Sequence, residues 1–120
     1  MAVTYNVAIK NVRMIATRDY CANGTLEILT AADVVLATFG LDADGGMVTG
    51  DIWTLVFDAD VVAASGAGTA AKAQIKTSGG DAHLTGLTVG TSGEDIELNN
   101  TSIAIGQDVE LTSATIQHAA

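Results

Sequence analysis

Residues 51–58 read DIWTLVFD, and this stretch decides the fold class. Ile52, Thr54 and Val56 alternate with Trp53, Leu55 and Phe57, the period of two that belongs to a β-strand. Both sets carry large apolar side chains, so the strand is expected to be central or covered on both faces. Working toward the C-terminus, residues 63–69 are small and read as a loop. Residues 69–77 alternate, turn at Ser78-Gly79-Gly80 and return through 82–89, a hairpin pattern. Gly90-Thr91-Ser92-Gly93 marks another turn before a short strand over 95–98. Asn99-Asn100 and Gly106-Gln107 punctuate the chain around Ile103 and Ile105, and a last strand covers 109–116. Its Val109, Leu111 and Ser113 alternate with Glu110, Thr112 and Ala114.

Working toward the N-terminus, Asp42-Ala43-Asp44-Gly45-Gly46 reads as a turn. Strand patterns precede it at 34–41 and 25–30. Residues 5–21, YNVAIKNVRMIATRDYC, change period: Tyr5, Ala8, Ile9, Val12, Ile15 and Ala16 recur at spacings of three and four. This predicts one helix with that stripe as its apolar face, stopped by Asn23-Gly24. Turn signals every ten residues or so then give a mainly β domain over residues 1–120, an antiparallel β-sandwich or partly open barrel with one N-terminal α-helix.

Composition bounds the function. The chain has 120 residues, 48% apolar and 4% aromatic, with no proline and one cysteine, so no internal disulfide forms. Its apolar runs fall far short of the ~20 residues of a membrane helix. No basic segment followed by an apolar one marks a cleaved signal peptide. Five basic against fourteen acidic residues give a net charge of −9, which argues against binding nucleic acid through its phosphates. Mean hydropathy is +0.36, and this apolar excess fits surface buried against partner chains or a core rich in alanine. The charge is uneven. Residues 1–18 hold Lys10, Arg13 and Arg18 and no acid, whereas no Lys or Arg follows Lys76. Two readings are open: a solvated surface that keeps the protein dispersed, or complementary docking between copies or onto a lattice.

Enzyme motifs are not legible. Cys21, His83 and His118 have no carboxylate at a recognisable spacing, and a cysteine at a helix C-terminus lacks the position that lowers its pKa. Asp42-x-Asp44-Gly45 begins like a calcium loop, but its fifth and twelfth positions hold Gly46 and Trp53. Asp58 and Asp60 leave a looser oxygen site open. Gly66-Ala67-Gly68 lacks the lysine of a phosphate loop. Glu94 and Asp95 are neighbours that face opposite ways on a strand. Trp53 reads as core before ligand platform. No cofactor, metal or catalytic residue is expected.

Several segments resemble a family of small virion proteins encoded among the structural genes of tailed bacteriophages. They are Asn11-Val12-Arg13-Met14, Thr17-Arg18-Asp19, Gly24-Thr25-Leu26-Glu27-Ile28, Leu36-Ala37-Thr38-Phe39 and above all residues 86–119, GLTVGTSGEDIELNNTSIAIGQDVELTSATIQHA. The chain departs from that family in its short, proline-free segment before the central strand. It also carries Gly68-Thr69-Ala70-Ala71-Lys72-Ala73 where the family tends to have an aromatic and an arginine. The resemblance implies a capsid decoration, or cement, protein in the virion, assembled in the host cytoplasm. Its partner would be the major capsid protein, and it would act as a homo-oligomer, a trimer or dimer, with no nucleic acid or membrane bound. Lys10, Arg13 and Arg18 are the candidate lattice contacts. The alternatives are a tail or head–tail component and a host-surface or carbohydrate-binding module, though spare aromatics for a sugar platform are lacking.

Overall fold

The computed structural model describes residues 6–117, so Tyr5 of the expected helix and His118 lie outside the described residues. In chain order the elements are α1 (Val7–Cys21), β1 (Thr25–Leu29), β2 (Val35–Thr49), β3 (Ile52–Phe57), β4 (Val61–Ala63) and β5 (Gly68–Thr69). Then come β6 (Lys72–Lys76), β7 (Ala82–Gly90), β8 (Ile96–Leu98), β9 (Ser102–Ile103) and β10 (Asp108–Gln117). The protein is mainly β with one helix among the described residues, as its sequence predicts. The main sheet runs β3-β2-β1-β6-β7-β8-β10-β4, and a β3–β10 pairing closes seven strands into a ring. Of the two architectures expected, the ring is nearer the barrel. β5 and β9 form a separate two-stranded sheet.

The alternating strands fill the ring. Leu26 and Ile28 of β1 lie opposite Phe39 and Ala37 of β2 and opposite Ile75 and Ala73 of β6. All six are fully buried. Phe39 and Phe57 meet edge to face, with centroids 5.9 Å apart. Trp53 is also fully buried, and its Nε1 donates to the Gly45 carbonyl at 2.9 Å. Removing so large a ring from water stabilises the fold by about 4–6 kcal/mol before entropy is counted.

Three expectations need correction. The first concerns β3, which is central in its pairing, between β2 and β10. It is nevertheless one-sided: Trp53, Leu55 and Phe57 are buried, while Ile52, Thr54 and Val56 are exposed. In a closed ring the inward face meets the core, and the outward side chains of β3 stay exposed.

The second concerns the Asp42–Gly46 turn. The chain does not reverse there. β2 runs through it, and its register jumps from Leu41 opposite Phe57 to Gly46 opposite Leu55. Five residue steps of β2 thus face two of β3, a large bulge with three extra residues. Asp42 Oδ1 accepts from the Gly45 amide at 2.6 Å. Gly45 and Gly46 take φ of 75° and 118°. Turn chemistry therefore bends one long strand around the barrel. The reversal comes later, at the two-residue Gly50-Asp51 loop, where Thr49 pairs with Ile52.

The third concerns the expected antiparallel pairing. β7 and β8 run parallel, Val89 beside Ile96, although parallel neighbours ordinarily need a connection of a dozen residues or more. Here residues 91–95 make one tight loop, held by a reciprocal pair. The Thr88 amide donates to Asp95 Oδ2 at 3.2 Å, and the Asp95 amide donates to Thr88 Oγ1 at 3.0 Å. The Gly93 amide donates to Glu97 Oε2 at 2.8 Å. Asp95 thus shapes a loop. A further register shift between Leu111 and Ser113 swaps the phase of β10. Ala114, expected on the opposite side from Val109 and Leu111, is buried with them.

Candidate interaction surface

α1 begins at Asn6, whose Oδ1 accepts from the Ile9 amide at 3.0 Å. It packs on β2 and β3, with Val7 nearest the Gly50 turn. It ends at Ala22, after which Asn23 takes the left-handed conformation (φ 63°). Gly24 follows for a different reason. A Cβ there would sit inside the Lys76 carbonyl oxygen, so the first strand can approach β6 only without a side chain.

The helix does not pack with the stripe that the sequence places inward. Met14 and Cys21 are inward, 4% and 1% exposed, and Lys10, Thr17 and Arg18 flank them half-buried. Arg18 lays its stem across Gly45 and turns its guanidinium to Asp19 at 3.0 Å. The expected apolar stripe points out: Ile9 and Ala16 are exposed, Val12 is 66% exposed, and Tyr20 beside it is 64% exposed. Among the described residues of the stripe, Ile15 alone is half-buried. Glycines at the bulge let the helix backbone approach closely, and that short distance suits Met14 and two aliphatic stems.

Among the candidate contacts, Lys10 and Arg18 therefore lie on the packing side and Arg13 on the outward side with Val12. The structure does not gather the three on one face. The sequence reading also missed two cations. Lys72 pairs with Asp33 at 2.5 Å and Lys76 with Glu27 at 3.3 Å, and Glu27 also accepts from Gln74 Nε2 at 2.7 Å. The β1–β6 register, with Glu27 opposite Gln74, is what brings them together, and it is not visible before pairing is known.

A cleft of about 360 Å³ opens between the C-terminal half of α1 and β7, lined by Ala16, Thr17, Tyr20, Cys21 and Leu84. Its one chemically reactive group is muted. Burial pushes the Cys21 thiol above its ordinary pKa of 9.0, because the thiolate loses hydration. His83 lies on β7. The aspartates of the broken calcium pattern serve or border the bulge, Asp42 through its bond to Gly45 and Asp44 exposed. Among the described residues no three His, Cys, Asp or Glu gather to hold a metal ion. Gly66 lies against β2, the Ser65 and Gly66 amides both donating to the Leu36 carbonyl. That is a strand contact, not an anion loop.

A second outward face forms at the far end of β10. Asp108 lies opposite Ala63 and Glu110 opposite Val61, and all four are exposed. Asn99, next to β8, joins them: its Oδ1 accepts from the Glu110 amide at 3.3 Å. No Lys or Arg occurs on β4, β8 or β10. The protein thus presents an apolar helix face bearing Arg13 and, on another part of the barrel, an acidic face bearing Val61. Compared with known protein families, curated proteins and solved structures, the chain finds no match in any of the three.

Proposed function

We propose that this chain is a virion structural protein of a tailed bacteriophage, most simply a capsid decoration protein that acts through protein–protein contacts. The observation that carries the reading is the outward apolar stripe of α1. A helix that keeps Met14 and Cys21 for its own barrel and leaves Ile9, Val12, Ala16 and Tyr20 uncovered has surface to bury on something else. The resemblance of residues 86–119 to virion proteins names the setting.

The mechanism follows from interface addition. A decoration protein adds contact area across junctions between capsomers, and each copy contributes modestly. Copies that also touch one another bind in concert, since the second contact becomes intramolecular. The filled barrel supplies a rigid platform whose outer faces carry the contacts, and the proposed role needs no catalytic group, cofactor or metal.

The test is the copy number in purified particles, by quantitative mass spectrometry against the major capsid protein. A number comparable to the capsid protein is expected. A handful of copies per particle moves the protein to the tail or a vertex, and absence from the particle overturns the reading.

A further inference from the structure

We infer that the joint between the end of α1 and the β2 bulge is a site of spontaneous modification, deamidation at Asn23 and isomerisation at Asp44, held off by the fold and released when the joint opens. An asparagine or aspartate followed by glycine is the pair most prone to this chemistry, because no side chain hinders the glycine amide. The chain has two such pairs, Asn23-Gly24 and Asp44-Gly45. They are distant in sequence and adjacent in space. The Asn23 amide donates to the Asp42 carbonyl at 3.1 Å, and a Cβ on Gly45 would lie 3.6 Å from Ala22 Cα. Asn23 and Asp44 are both exposed, so solvent water reaches them.

In the reaction the glycine amide nitrogen attacks the side-chain Cγ of the residue before it, and the new N–Cγ bond closes a cyclic imide. Asn23 expels its side-chain nitrogen as ammonia, which takes up the proton of the Gly24 amide. Asp44 expels water in the same way. Solvent water then opens the ring at either carbonyl, leaving aspartate or its isomer, whose main chain is one carbon longer. Both attacking amides are tied down in the folded protein. The Gly24 amide donates to the Cys21 carbonyl at 2.9 Å, and Gly24 lies so close under the Lys76 carbonyl that its peptide has no room to turn toward Asn23 Cγ. The Gly45 amide donates to Asp42 Oδ1 at 2.6 Å. Attack therefore waits for the last turn of α1 to lift from the bulge, and the observed rate is the intrinsic rate multiplied by the open fraction. A carboxylate formed at position 23 sits at the helix C-terminus, the end where the dipole disfavours an anion. The longer isomer forces Gly24 from its place beside β6. Each event thus loosens the joint that held back the next. This chemistry needs no partner, so it stands or falls apart from the proposed function.

Peptide mapping by mass spectrometry, on protein aged at mildly alkaline pH, tests it. In concentrated urea Asn23 is expected to convert while Asn99 and Asn100, followed by Asn and Thr, stay largely intact. The folded wild type is expected to convert at Asn23 at least about tenfold more slowly than the unfolded chain. Met14→Ala, which removes the buried anchor of α1, is expected to fall between the two in native buffer. If that variant does not fold, wild type in urea just below its unfolding midpoint takes its place. Isomerisation at Asp44 leaves the mass unchanged and is read from the chromatographic shift of its peptide, with the same order of rates expected. An Asn23 that survives in concentrated urea overturns the site itself. Equal rates in folded and unfolded chains, at either residue, overturn protection by the fold. Equal rates in Met14→Ala and wild type overturn gating by the helix. Asn23→Asp, made directly, is expected to unfold at a urea midpoint about 0.2–0.7 M below wild type, and an unchanged midpoint overturns the loosening of the joint.

Discussion

Gly24, Gly46 and Gly93 separate two costs of a missing side chain, crowding and conformation, and alanine at each should show them in order. At Gly93 φ is 72° and a Cβ would meet nothing within 4 Å. Alanine there costs the left-handed penalty of about 1–2 kcal/mol, partly offset by a less flexible unfolded chain, a net of about 1. At Gly24 φ is not positive, but a Cβ would collide with the Lys76 carbonyl and lie 2.8 Å from the Cys21 carbonyl oxygen. Both obstacles are backbone, so β1 must move from β6 and from the helix end, an overpacking cost of about 2–3 kcal/mol.

Gly46 combines the two. Its φ is 118°, and its Cβ would overlap the Thr54 carbonyl oxygen and approach Leu55 Cα at 3.0 Å. A loss of about 4 kcal/mol is expected there, against a total of about 6–18 kcal/mol for a chain of this length. Trp53 is the single tryptophan and is wholly buried, so its fluorescence reports urea unfolding. At a slope of about 1.5 kcal/mol/M the midpoints should fall by about 0.7, 1.5 and 2.7 M in the order Gly93, Gly24, Gly46. A Gly24→Ala midpoint no lower than that of Gly93→Ala would refute the claim that backbone proximity, and not turn geometry, fixes glycine after the helix.

Two further tests address the helix. Met14→Ala should lower stability by about 2–4 kcal/mol, whereas Val12→Ser, in the middle of the apolar stripe, should stay within about 0.5 kcal/mol in dilute monomer; the same urea titration decides, and a reversed order would place the stripe inside. Because burial raises the Cys21 pKa, the native state holds its proton where the unfolded state has lost it, so this contribution is complete below about pH 9 and fades as pH rises through the folded value. Wild type should accordingly lose more stability than Cys21→Ala between about pH 8 and pH 10, and its thiol should react with a disulfide reagent more slowly than a free cysteine; equal slopes would contradict the burial.

The strands were legible because alternation survives closure. DIWTLVFD names its own inward residues, and the Ser78-Gly79-Gly80 reversal leads into a strand paired with β6, as expected. The errors at the bulge and at the parallel pair share one cause. Asp and Gly in series report that the backbone leaves ordinary strand geometry, not which way it goes. At residues 42–46 they make a bulge whose shape is set by Trp53, eight residues on, through its bond to Gly45. At residues 91–95 they make a loop into a parallel neighbour, fixed by Thr88 and Asp95. Both depend on pairing that local sequence does not encode. The Lys76–Glu27 bridge is hidden for the same reason, since its partners are brought together only by register.

The helix is the more instructive case. Its 3.6-residue period is genuine, and the inference from period to core is the step that fails. A stripe of Ile9, Val12 and Ala16 with Tyr20 next to it satisfies a rule about burial, but the rule does not say against what. The barrel interior is already filled from all its walls by inward side chains such as Phe39, Trp53, Ile75 and Ile96, and α1 needs only to cover one part of it. Met14, Cys21 and the stems of Lys10 and Arg18 suffice at a site where Gly45 admits the helix closely. The larger apolar face is then surplus to folding. Ile9, Val12, Ala16 and Tyr20 stay exposed on one side of the helix, and the proposed function reads them as an interface. Substituting them should therefore change association before it changes stability, the opposite of what the same pattern predicts for a core helix.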